Sequence, residues 1–165
     1  MRHKVYITRE KKGLGCPDAG RLIKRAIRAA LRVENIAVPC EVSVLLTDDA
    51  GIRELNRDFR ETDRETDVLS FHANEMTEGV FDPGAMEKNP HTGRVVLGDM
   101  ALSLERARSQ GRQFEHGTKR EIMYLTVHSV FHLLGYDHVD EGEMKRRMRE
   151  REKAAMSLIE GKEEE

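Results

Sequence analysis

The chain has 165 residues, of which 35% are charged and 38% apolar, and 28 basic against 30 acidic side chains leave a formal net charge of −2. That length suits one domain with one core, and the balanced charge excludes a chain that is basic throughout, so any cationic surface has to come from local clustering. Aromatics at 5% with no Trp argue against a surface lined with stacking rings, and there is neither an apolar run long enough to span a bilayer nor the apolar segment of a secretory signal in MRHKVYITRE.

Two cysteines, Cys16 and Cys40, stand too far apart in sequence for a disulfide framework or a Cys-type zinc site. A soluble, cytoplasmic protein in a reducing compartment is expected, with one domain over 1–165 and residues 160–165 as a frayed tail.

Lys4 to Thr8 reads as a first strand, and Gly13, Gly15 and Pro17 then break the chain. Asp18 is placed to cap a helix from Arg21 to Arg32 in which Ile23, Ile27, Ala30 and Leu31 share one face. Arg21, Lys24, Arg25, Arg28 and Arg32 occupy the opposite face, with no acid among them. Such a face is either a solvated surface or a track for a nucleic-acid phosphate backbone. Glu41 to Leu46 reads as a second strand. A helix from about Asp49 to Phe59 follows, with Ile52, Leu55 and Phe59 expected inward.

Thr66 to Phe71 (TDVLSF) reads as a third strand. The long stretch from His72 to Arg94 is rich in Gly and Pro and has little periodicity, which suggests a mobile loop beside the site or a partly ordered hairpin. A fourth strand is expected over Arg94 to Leu97, running on through Gly98, and a short helix from Ser103 to about Gln110. The segment from about Thr118 to Leu134 is the most apolar in the chain and should be the central helix, ended by Gly135. A last helix is expected over about Glu141 to Ile159, with Met144, Met148, Ala155 and Leu158 near one face. Its stretch KRRMREREK, Lys145 to Lys153, interleaves Glu150 and Glu152 and reads as a salt-bridged solvated face.

The chemistry concentrates in HSVFHLLGYDH, His128 to His138. His128 and His132, four apart on a helix, put both rings on one face within reach of one ion. Gly135 allows a sharp turn that can return His138 as a third ligand. Three imidazoles with an open fourth position are the layout of a catalytic zinc site, although they also suit nickel, copper or cobalt. A lone histidine on an apolar helix is more often a packed core residue, and two at this spacing can be chance. Three with a glycine at the turn are much harder to read that way. The spacing H-x3-H-x2-G-x2-H is also the ligand skeleton of metzincin proteases. There a Glu follows the first His as general base, whereas here Ser129 does. The pattern keeps the metal platform and lacks the peptidase base.

The segment resembles the histidine signature of the YbeY family of bacterial endoribonucleases, which act in ribosomal RNA maturation and usually read H-G-x-L-H-L-x-G-Y-D-H. Asn56 and Arg60 in LNRDFR, then TDVLSF, then LGD at Leu97 to Asp99, follow the family's order and spacing, and Met148 fits the terminal helix. The likeness spans about residues 40 to 160. Ser129 and Phe131 depart from the usual Gly and Leu; a small residue is kept at 129, and Phe131 should fill more core volume.

The resemblance implies an α+β fold: a mixed four-stranded sheet packed with about five helices, the metal site on the central helix. It implies one zinc ion per chain, held by His128, His132 and His138. It implies that Arg60, which by position alone reads as a surface cation at a helix end, lines the cleft and is needed for RNA cleavage. The expected activity is zinc-dependent, single-strand-specific cleavage of rRNA precursors, with ribosomal subunits or ribosomal proteins as partners and no membrane. The proton acceptor stays open among Asp137, Asp67 and Asp99. A metallohydrolase of another substrate, or a ribosome assembly factor with a structural zinc, are the alternatives.

Overall fold

Val42, Val44 and Leu46 alternate along β2 (Cys40–Thr47) with the exposed Ser43 and the half-buried Leu45, so one face of that strand is committed to a core. In a computed structural model of the chain, which describes residues 2–75, 80–136 and 142–164 with side chains to 161, this strand lies inside a four-stranded sheet. Its neighbours are β1 (Lys4–Arg9) and β4 (Val95–Ser103), both parallel to it. β3 (Val68–His72) adds antiparallel to β4, giving the order β1-β2-β4-β3 and a mixed sheet.

Five helices complete the α+β fold: α1 (Ala19–Val33), α2 (Asp49–Arg60), α3 (Leu104–Gln113), α4 (Thr118–Leu133) and α5 (Glu143–Glu164). α4 touches α1, α3, α5, β3 and β4, which explains why it is apolar around most of its circumference. The expected inward residues of α1, Ile23, Ile27, Ala30 and Leu31, are all buried. Asp18 flanks α1 without a side-chain capping bond, whereas Asp48 caps α2 by accepting from the Gly51 N–H at 2.9 Å. No described helix is long and apolar enough to cross a membrane.

Three expectations need correction. β4 does not stop near Gly98 but continues to Ser103, because its far half pairs with β2 on one side and β3 on the other. The register slips by one residue at Leu97, and Gly98 sits at φ 143° with Phe71 O only 2.3 Å from where a Cβ would stand. That close approach explains a glycine in the LGD segment. Phe59 does not face inward; it is 66% exposed, and Asn56 takes the buried position instead. Of the two readings of the stretch from His72 to Arg94, the described residues fit the partly ordered hairpin, with a single turn of 3-10 helix at Pro83–Ala85 and an antiparallel bridge from Lys88 to Val95, while residues 76–79 lie outside the described ones. Finally, Glu152 is buried rather than solvated.

Candidate metal centre and its cleft

The sequence places His128 and His132 one turn apart on α4, and the end of that helix is fixed by the next residues. Gly135 takes φ 93°, its N–H donates to His132 O at 3.0 Å, and the Tyr136 N–H donates to Phe131 O at 3.0 Å. The Phe131 and Tyr136 rings meet edge to face at 5.7 Å. This paired reversal with its apolar contact is the helix stop that a left-handed glycine permits. It turns the chain sharply just after the two histidines. His138 and Asp137 lie outside the described residues.

The two rings are set at 82° to each other with centroids 4.7 Å apart, and their Nε2 atoms stand 3.2 Å apart. Zinc bound tetrahedrally at Zn–N distances near 2.0–2.1 Å separates its nitrogens by about 3.3 Å. The pair therefore fits two of the ligands of one such ion. Behind His128, Nδ1 lies 3.1 Å from Glu152 Oε2 on α5. A carboxylate only accepts, so the contact is made through Nδ1–H, and in the neutral imidazole that tautomer leaves the Nε2 lone pair for an ion. Tyr124, one turn before His128, stacks on its ring at 6.1 Å and 25°. Burial, and next the Glu152 charge, push the Tyr124 phenol well above its ordinary range.

These rings open into a cleft of about 510 Å³ whose far wall is α2 and β3, and which Arg60, Asp67, His72, His128 and His132 line. Arg60, the last residue of α2, is held by a hydrogen bond to Ser70 O and lies over the Phe71 ring at 5.1 Å. β3 is tied to α4 by the Ser70 and Ser129 hydroxyls, 2.6 Å apart, and by the His72 Nε2 contact with His132 O. Ser129 thus keeps the close packing expected of a small residue and adds a bond to it.

Asp67 lies in the cleft, but its carboxylate accepts from the Val68 N–H at 2.8 Å and so caps the start of β3. Asp99 pairs with Phe71 in register, on the face of the sheet opposite to Ser70, and burial raises its carboxyl above the ordinary range. It does not line the cleft.

Two residues of this neighbourhood escaped the sequence reading. His72 follows TDVLSF as the last residue of β3 and carries no periodic signal. Glu152 had one: Met148, Glu152, Ala155 and Ile159 form a buried stripe at helical spacing, so a carboxylate stands where an apolar residue belongs. The basic face of α1 is partly committed. Arg21 pairs with Asp18 at 3.6 Å, and Arg25 donates to Ile159 O at 3.0 Å. Arg25, Arg28 and Arg32 line a hollow of about 340 Å³ against the end of α5.

The chain is similar to known proteins over most of its length. The model of a family described as "Endoribonuclease YbeY" matches residues 6–160. Proteins named endoribonuclease YbeY are similar to the chain in Acetivibrio thermocellus, at 41% identity over 84% of this chain and 85% of the relative. One in Clostridium acetobutylicum is 47% identical over 79% and 82%. One in Desulfitobacterium hafniense is 44% identical over 84% and 83%. The solution structure of a Thermotoga maritima protein superposes with a TM-score of 0.60 at 25% identity, over 96% of this chain and 91% of that one.

Proposed function

The chain belongs to the YbeY endoribonuclease family, and from that premise we propose that it is a zinc-dependent endoribonuclease that cleaves single-stranded segments of rRNA precursors in the cytoplasm, on or near ribosomal particles. The observation that carries the reading is the convergence of the two Nε2 atoms, 3.2 Å apart, at the floor of a cleft that Arg60 also lines. His128, His132 and His138 would hold the ion. Bound there, zinc supplies Lewis acidity at the scissile phosphate.

The protein's own groups do the rest. The guanidinium of Arg60 has five N–H donors in a fork, so its bond to Ser70 O leaves others for phosphate oxygens. The Phe71 ring beneath it limits where the fork can point. Charge growing on the phosphate in the transition state is met by a cation already in place, which saves reorganisation. The cations of α1 supply backbone affinity without sequence choice.

Elemental analysis of purified protein and of a His132→Ala variant, with digestion of a single-stranded RNA by both, tests the reading. About one zinc per chain and chelator-sensitive cleavage are expected in the parent, with both lost in the variant. Full cleavage by a metal-free sample would overturn it.

A further inference from the structure

Glu152 is a carboxylate on the buried stripe of α5, 6% exposed, among Met148, Ala155 and Ile159. Such burial is costly unless the oxygens find donors. One donor reaches it from α4, the His128 Nδ1–H at 3.1 Å, and the Tyr124 phenol lies near enough to feel its charge. The imidazole of His128 is thereby held at its back edge by the carboxylate and over its face by the Tyr124 ring. Its front nitrogen, Nε2, points at His132.

We propose that Glu152 is a positioning residue for the metal: it fixes His128 in the Nδ1–H tautomer and in the ring orientation that ligation needs, with Tyr124 as a clamp, and it thereby links docking of α5 to occupancy of the site. The inference rests on the metal reading above. An acceptor on the far nitrogen of a ligand histidine raises the basicity of the near one. Linkage makes the effect reciprocal, so an ion that holds His128 also strengthens the bond between His128 and Glu152, and with it the seat of α5.

The test uses the full chain and zinc itself, titrated in competition with a chromophoric chelator, on the parent, Glu152→Gln, Glu152→Ala and Tyr124→Phe. Loss of the carboxylate in Glu152→Ala should weaken zinc binding by about 10–100-fold. Glu152→Gln keeps an acceptor oxygen without the charge and should fall between that variant and the parent. Tyr124→Phe keeps the stack and should lose the least. In metal-free protein, ¹⁵N shifts of His128 should report the Nδ1–H tautomer in the parent and a mixture in Glu152→Ala, a change that a merely structural role would not produce. Removing zinc from the parent with a chelator should speed amide exchange in α5. Zinc affinities of both Glu152 variants within about twofold of the parent, or an unchanged His128 tautomer, would overturn the inference while leaving the metal reading intact. A parent that takes up no zinc would overturn both. Should Glu152→Ala fail to fold, Glu152→Gln and the exchange experiment on the parent decide.

Discussion

One wall of the cleft is α4, enclosed by three helices and the sheet; the other is α2 with the edge strand β3, a helix that overhangs into solvent at its end. His128 and His132 stand on the first, Arg60 and His72 on the second. On α4 each functional ring is placed by packing: Phe131, Val127 and Val130 are fully buried around it, and Glu152 holds His128 from behind. On α2 placement is local. Asp48 caps the start, Asn56 donates to Arg64 O at 3.0 Å beyond the end, and Glu61 turns the chain in the left-handed region at φ 55°. The contrast suits the two tasks. Metal ligands must be held to within fractions of an ångström, whereas a phosphate-binding guanidinium has only to reach an oxygen that itself moves.

The comparison breaks most visibly at Phe131. Its ring is fully buried and packs on Tyr136 at the helix stop. Phe131→Ala should cost about 3–5 kcal/mol by cavity formation. Because the same ring braces the turn after His132, zinc affinity should fall with it. Chemical denaturation with and without zinc checks both effects.

A smaller effect is expected on the other wall. Asn56→Ala removes the donor to Arg64 O and should cost about 1–3 kcal/mol. Zinc uptake should be unchanged, since the α4 wall is untouched, while RNA cleavage weakens as the turn beyond Arg60 loosens. Thermal unfolding together with metal content separates this outcome from that of Phe131→Ala.

The same division explains what could be read in the sequence. The His128 and His132 pair was legible because one helix carries both ligands, and helical spacing alone puts them on one face. The sheet's strands were legible to within a residue or two, except β4. Its glycine and aspartate interrupt the alternation, and only pairing on both sides carries it to Ser103. Spacing at 52, 55 and 59 predicts one stripe, but the Phe59 ring stays largely in solvent and meets the sheet edge-on at Phe71 of the edge strand. Glu152 was hidden by composition: in a run of alternating charges the eye averages over the one position that the helix buries. Convergence of Arg60 with the histidines is a tertiary fact, set by how β3 crosses beneath α4, and no local pattern encodes it.

The smallest change in stability is expected at Arg60, and it gives the sharpest contrast between the walls. Its side chain is exposed, and its bond to Ser70 O and contact with Phe71 lie in solvent. Arg60→Ala should therefore shift unfolding by no more than about 0.5 kcal/mol and leave zinc content at the parent's value. RNA cleavage should nonetheless fall by about 100-fold or more, the scale on which a preorganised donor acts on transition-state charge. Arg60→Lys keeps the charge but not the planar fork, so it should recover binding of RNA before it recovers turnover. If instead Arg60→Ala cleaves as well as the parent, the second wall serves only to shape the cleft, and catalysis belongs to α4 alone.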